Sequence, residues 1–107
     1  MSTGFKKLIN KKSHFYNLNI LNTSKLSKII VKNKIDSIIH LAGSLSISVG
    51  EKHPNFYYKN NVLGTKSLLK ACNDSLVKNF IFSSTAAIYK DKQKIVNEKS
   101  KILPKSV

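Results

Sequence analysis

Three consecutive hydroxyls, Ser83, Ser84 and Thr85, stand directly after the apolar run Phe80-Ile81-Phe82. Hydroxyls both donate and accept hydrogen bonds. A strand ending here therefore either closes in a polar turn or delivers these groups to an active site. A second apolar run, from Ile35 to Leu41, ends at Ala42-Gly43, and two adjacent amides follow at Asn60 and Asn61, which on pattern alone fit an exposed helix face. Other reactive side chains point to structure. His40 lies inside an apolar run, the place of a hydrogen-bonded core histidine, and Cys72 lies in a periodic apolar stretch that suits a buried thiol. His14, His40 and His53 lack ligand spacing and only five acidic residues are present, so no metal site is expected.

Elements must position these groups. Residues 14–20 alternate through Phe15, Leu18 and Ile20, which predicts a short strand. Asn22, Thr23 and Ser24 offer N-caps, and Leu26, Ile29 and Ile30 recur at helical spacing, so a helix is predicted over 24–33. The β-branched run over 35–43 reads as a buried strand, and 44–53 as a Ser- and Gly-containing loop. Pro54 suits the first turn of a long helix over 54–74, along which Tyr57, Asn61, Gly64, Leu68 and Cys72 form a stripe. A glycine inside a helix costs about 1 kcal/mol relative to Ala, so Gly64 predicts close packing against another backbone. A last strand covers 77–84, and residues 90–107 form a Lys-rich tail.

The order strand, helix, strand, helix, strand predicts an α/β fold of right-handed βαβ units, with a parallel sheet covered on both faces. Ligands of such sheets bind outside the carboxyl ends of the strands. Those ends are Asn19-Ile20, Leu41-Ala42-Gly43 and Ser83-Ser84-Thr85.

The 107 residues fit one small domain, 1–107. A formal charge of +14 invites a nucleic-acid partner, but all 19 basic residues are Lys, scattered from Lys6 to Lys105. Base-edge readout favours the planar fork of Arg, so no specific nucleic-acid partner is expected, only salt-sensitive attraction. The abundance of Lys with Ile and Asn, 12 and 11 copies, matches a coding bias toward A/T-rich codons. No apolar run approaches the roughly 20 residues that span a bilayer. MSTGFKKL lacks the apolar region of a secretion signal. A cytoplasmic protein with no membrane partner is the expectation.

Three blocks together, IDSIIHLAG (35–43), P-x2-YY-x-NNVLGT-x2-LL-x-A (54–71) and VKNFIFSSTAAIY (77–89), carry a closer resemblance. The chain resembles the NAD-dependent epimerase/dehydratase family of the extended short-chain dehydrogenase/reductase superfamily, most closely its UDP-glucose 4-epimerases, essentially over residues 14–89. The resemblance implies a partial Rossmann-type parallel sheet with crossover helices, NAD as cofactor, a UDP-hexose substrate and, for a full-length member, a possible homodimer. It places Leu41, Ala42 and Gly43 beneath the cofactor, with Gly43 allowing close approach. Asn19 and Ile20 fall at the adenine, Asn60 in the cofactor region and Ser83 near the nicotinamide end. Thr85 falls at the catalytic Ser/Thr position, whose hydroxyl bonds the sugar's 4-oxygen while a tyrosinate removes its proton. Hydride passes to NAD, a keto-sugar turns over, and hydride returns to its other face. Ser2-Thr3-Gly4 matches the loop on the adenosine side. A nucleotide-sugar dehydratase or decarboxylase of the same superfamily is the nearest alternative, and a noncatalytic basic binding module a more distant one.

Departures from the family pattern are equally specific. The four glycines, Gly4, Gly43, Gly50 and Gly64, nowhere form the G-x-x-G-x-x-G turn that seats a pyrophosphate. No Tyr-x-x-x-Lys pair occurs; Tyr89 matches a V-Y-G position, with Lys90 in place of its glycine. Asn19 replaces a preferred Asp, and Leu45 stands where a lysine is common. The expectation is an internal fragment of a larger enzyme, without NAD affinity or general-base chemistry alone, and with exposed apolar strand edges.

Overall fold

The computed structural model describes residues 5–89 and 95–104. Ser2-Thr3-Gly4, tail lysines 90, 92, 94 and 105, and Ser106 lie outside the described residues. A single 3-10 turn, Lys6–Leu8, precedes helix α1, Thr23–Lys32. Asn22 caps α1 by accepting the Lys25 N–H at 3.0 Å. Strand β1 covers Ser37–His40, followed by two short helices, α2 (Ile47–Lys52) and α3 (Pro54–Tyr57). A π-helical segment, Tyr58–Leu63, leads into α4, Gly64–Asp74, and β2 is Asn79–Phe82. A second 3-10 turn spans Ala86–Ile88.

β1 and β2 pair in parallel, with Ser37 opposite Asn79 and His40 opposite Phe82. Helices of the crossover separate them in sequence, as the alternation predicts. α1 packs on α4 around Ile30, Leu68, Ala71 and Cys72, all buried. Thr23 and Ser67 hydroxyls join the two helices at 2.7 Å. Burial raises the pKa of the Cys72 thiol, as suits a core cysteine. No described helix is long and apolar enough to cross a membrane.

Four expectations change. Residues 14–19 form no strand, because among the described residues no backbone hydrogen bond joins 14–18 to a neighbouring strand, and pairing is what makes a strand. Residues 47–52 are helical rather than loop. Buried Gly50 lets this turn sit on the Tyr57 ring, where a Cβ would stand 3.2 Å from Cδ1 and Cε1. Gly64 meets a side chain rather than a backbone, since a Cβ there would fall 2.5 Å from Ile20 Cδ1 and 2.8 Å from Cγ1. The sheet is covered on one face only among the described residues. His40 is buried and Ile38 half-buried toward the helices, whereas Ile39 and Ile81 on the other face are 63% and 59% exposed.

Both main helices end in the same way. Lys34 (φ 53°) and Leu76 (φ 55°) occupy the left-handed region. The N–H of Ile35 bonds Ile30 O and that of Val77 bonds Cys72 O, each at 3.0 Å. The N–H groups of Lys34 and Leu76 bond Val31 O and Asn73 O at 3.1 and 3.3 Å. This paired pattern is the Schellman motif, which turns each helix sharply toward the strand that follows. Neither site holds the glycine that usually relieves such a turn. Leu76 is 85% exposed, so removing its side chain loses little burial. Leu76→Gly should therefore stabilise the chain by about 0.5–1 kcal/mol, relief of a penalty near 1–2 kcal/mol less the added chain entropy. Urea unfolding followed by circular dichroism checks this, and Leu76→Ala, which keeps the strained conformation, should show little of the gain.

Candidate functional site

Parallel pairing carries the ends of β1 and β2 to the same edge of the sheet. The Ser83 N–H donates to His40 O at 3.1 Å, extending the ladder one residue and aligning the two exits. Beyond it lies a cleft of ≈ 450 Å³, within the range of small-molecule sites. One wall is Leu41-Ala42-Gly43-Ser44 and the other Ser83-Ser84-Thr85, with Asn61 and Thr65 contributed by the crossover helices. Two of the three predicted strand ends thus converge.

Asn19 and Ile20 do not line the cleft. The Asn19 carboxamide accepts the Leu21 N–H at 2.9 Å in a turn leading to α1, and the Ile20 side chain rests on Gly64. Without a third paired strand, this segment has no common edge with the other two. Thr85 sits at the mouth, its Oγ accepting the Ala87 N–H at 3.2 Å and capping the Ala86–Ile88 turn. That bond uses an acceptor site, and among the described residues the Thr85 hydroxyl proton has no partner. Gly43 is open above: a Cβ there would meet only Asn61 Oδ1, at 3.6 Å. The chain's own packing does not require a glycine at 43.

Asn60 and Asn61 occupy different places. Asn60 donates through Nδ2 to Ser44 Oγ at 3.0 Å and does not line the cleft. Asn61 does line it, and bonds both backbone groups of Ser44. Ser44, Tyr57, Asn61 and Thr65 were not singled out as site residues from sequence. A signal existed for three of them: Tyr57, Asn61 and Thr65 recur at four-residue steps and so share a helix face. Tyr57 is buried and its hydroxyl donates to Ser46 O at 2.6 Å. That holds down the loop on the cleft's far side.

His40, the last residue of β1, lies outside the cleft lining and contacts one of its residues, Thr65. It is 3% exposed, with its ring centroid 6.0 Å from that of Phe80 and 5.5 Å from that of Phe82. Thr65 Oγ spends its proton on Asn61 O at 2.6 Å, so it must accept from His40 Nε2 at 2.9 Å. This arrangement selects the Nε2–H tautomer. Burial lowers the imidazole pKa from 6.5.

Among the described residues no charged side chain lines the cleft, although the chain carries 19 lysines. Leu45 lines it where a lysine was the family expectation. Apolar walls with hydroxyl and amide groups fit an uncharged polar ring. They offer nothing to neutralise a phosphate.

A family model described as NAD dependent epimerase/dehydratase family matches residues 2–106. A UDP-glucose 4-epimerase of Lactobacillus helveticus is 44% identical over 87 residues, covering 81% of this chain and 26% of the relative. The crystal structure of UDP-glucose 4-epimerase from Brucella ovis in complex with NAD is similar at 33% identity and a TM-score of 0.83. That match covers 88% of this chain and 29% of the other. A UDP-glucose 4-epimerase structure with UDP-glucose from Thermotoga maritima gives 29% identity and a TM-score of 0.90, covering 99% and 35%. The chain spans about a quarter of the length of the Lactobacillus helveticus relative, 26%, and of a UDP-glucose 4-epimerase of Haemophilus influenzae, 25%.

His40 generates a prediction independent of any ligand. Its folded pKa lies below its unfolded value, so between the two the unfolded chain binds more protons. The stability due to the neutral imidazole is fully present above pH 6.5 and is lost as pH falls toward the folded pKa. His40→Gln keeps a donor for Thr65 but does not titrate. The stability difference between the parent and this variant should shift against the parent from about pH 7.5 to about pH 5, as read by urea unfolding. A constant difference would contradict burial of a neutral His40.

Proposed function

Because the chain belongs to the NAD dependent epimerase/dehydratase family, we propose that it supplies the cofactor-facing half-site of a nucleotide-sugar epimerase acting at C4 of UDP-glucose and UDP-galactose. One observation carries this reading: Leu41-Ala42-Gly43 and Ser83-Ser84-Thr85, assigned to one site by resemblance, meet in a single cleft with no charged side chain among its described lining residues. The Brucella ovis relative with NAD and the Thermotoga maritima relative with UDP-glucose support the choice of cofactor and substrate.

The residues present fit the nicotinamide end of NAD, a flat ring that carries no phosphate and is approached by hydroxyl and amide groups. Gly43, open above, and the hydroxyl of Ser83 would hold the nicotinamide side, and NAD when bound supplies reversible hydride acceptance. Thr85 would donate its hydroxyl proton to the oxygen at the sugar's reacting carbon, while the Ala87 N–H orients Oγ from behind. A donor held in this way stabilises charge that develops on that oxygen. Tyr57 is not the base, because its hydroxyl is buried and committed to Ser46 O. The 107 residues contain neither G-x-x-G-x-x-G nor Tyr-x-x-x-Lys, so the pyrophosphate seat and the proton acceptor must come from other groups. Alone, this polypeptide should hold part of a site without turnover.

A chimaera tests the reading: residues 14–89 replace the matching segment of the Lactobacillus helveticus relative, and UDP-galactose conversion and NAD content are measured. Activity is expected, and Thr85→Val should lower kcat by about 10²–10³ while NAD is retained. A folded chimaera that carries NAD but is inactive, or a Thr85→Val chimaera that keeps full activity, would sink the assignment. The 107-residue polypeptide should convert no UDP-galactose above a no-enzyme control.

A further inference from the structure

Asn61 bonds both backbone polar groups of a residue in a different segment. Its Oδ1 accepts the Ser44 N–H at 2.8 Å, and its Nδ2 donates to the Ser44 carbonyl at 3.1 Å. Ser44 follows β1 where the ladder has ended, so one side-chain amide takes the place of a neighbouring strand. Asn60 reinforces it, donating to Ser44 Oγ at 3.0 Å and Asn61 Oδ1 at 3.2 Å. Both asparagines lie in the π-helical segment Tyr58–Leu63, a geometry that often marks functional sites.

The clamp is anchored from behind. Thr65 Oγ donates to the Asn61 carbonyl at 2.6 Å and accepts from His40 Nε2 at 2.9 Å. His40 ends β1, and Ser44 lies four residues further along the same chain. The series His40, Thr65, Asn61, Ser44 therefore leaves the strand end, crosses to the helix and returns to the loop, bracketing residues 41–43. We infer that Asn61 is a positioning residue: backed by Thr65 and His40, it holds the Gly43-Ser44 backbone as a preformed floor for the ring that the cleft receives. The inference rests on the cofactor-side reading of the cleft, although the clamp itself belongs to this chain.

Nuclear magnetic resonance on the 107-residue chain tests it through the exchange rate of the Ser44 amide and the ring-nitrogen shifts of His40. The amide of Leu68 in α4 serves as an internal reference for loss of the fold. In Asn61→Ala, Ser44 exchange should rise at least about fivefold relative to Leu68, the effect of losing a hydrogen bond of ordinary net strength. Thr65→Val should also speed Ser44 exchange and replace the single Nε2–H signature of His40 by a tautomer mixture. Thr65→Ser, which keeps the hydroxyl, should restore both. Unchanged Ser44 exchange in Asn61→Ala overturns the inference, and so does equal acceleration of Ser44 and Leu68. Neither readout involves NAD, so a failure of the cleft's cofactor role would appear in the chimaera and not in these spectra.

Discussion

Parallel pairing of two short strands is the constraint from which the rest follows. Two parallel strands cannot be joined by a tight turn, so a long crossover must run back along the sheet between them. The crossover is helical because buried backbone groups need partners, and it returns the chain so that β1 and β2 exit at the same edge. The cleft opens at that edge. His40 pins the arrangement: it belongs to the strand, lies between Phe80 and Phe82, and bonds Thr65 on the helix above. One buried polar contact thereby ties sheet to helix at the level of the cleft.

Charge is distributed in the opposite sense to its abundance. The chain is strongly cationic, yet no lysine among the described residues lines the cleft. Lysines on solvated faces cost little, because water and salt screen them. The one ion pair among the described residues, Lys70 with Asp74 at 3.1 Å, is exposed and contributes at most a few tenths of a kcal/mol. Hydroxyls, amides and backbone line the cleft instead. These groups orient a ligand by direction rather than by net charge, a selectivity that the bulk composition would not suggest.

Local physics made much of the fold legible. Helical spacing with an Asn cap found α1 to within a residue at each end, and a β-branched run and an apolar run located the two strands. The hydroxyls after Phe82 and the glycine after Ala42 were visible as strand exits. Residues 14–20 misled, because alternation shows only that a segment could pair and says nothing of whether a partner is present. The helix at 47–52 was invisible for a related reason: it depends on Gly50 lying against Tyr57, a contact between segments.

The identity and order of α1, β1, α4 and β2, and the residue types at the ends of β1 and β2, were determined by the sequence alone, because propensity, capping and periodicity act over a few neighbouring residues. Only the tertiary structure decided which of those ends share a cleft, and which of two adjacent asparagines faces it. Asn60 and Asn61 are chemically identical and adjacent. Their roles separate only when the helix is set against Ser44, where one amide meets both backbone groups and the other meets a hydroxyl. Direction and distance between segments distant in sequence decide such roles, and no local pattern records them.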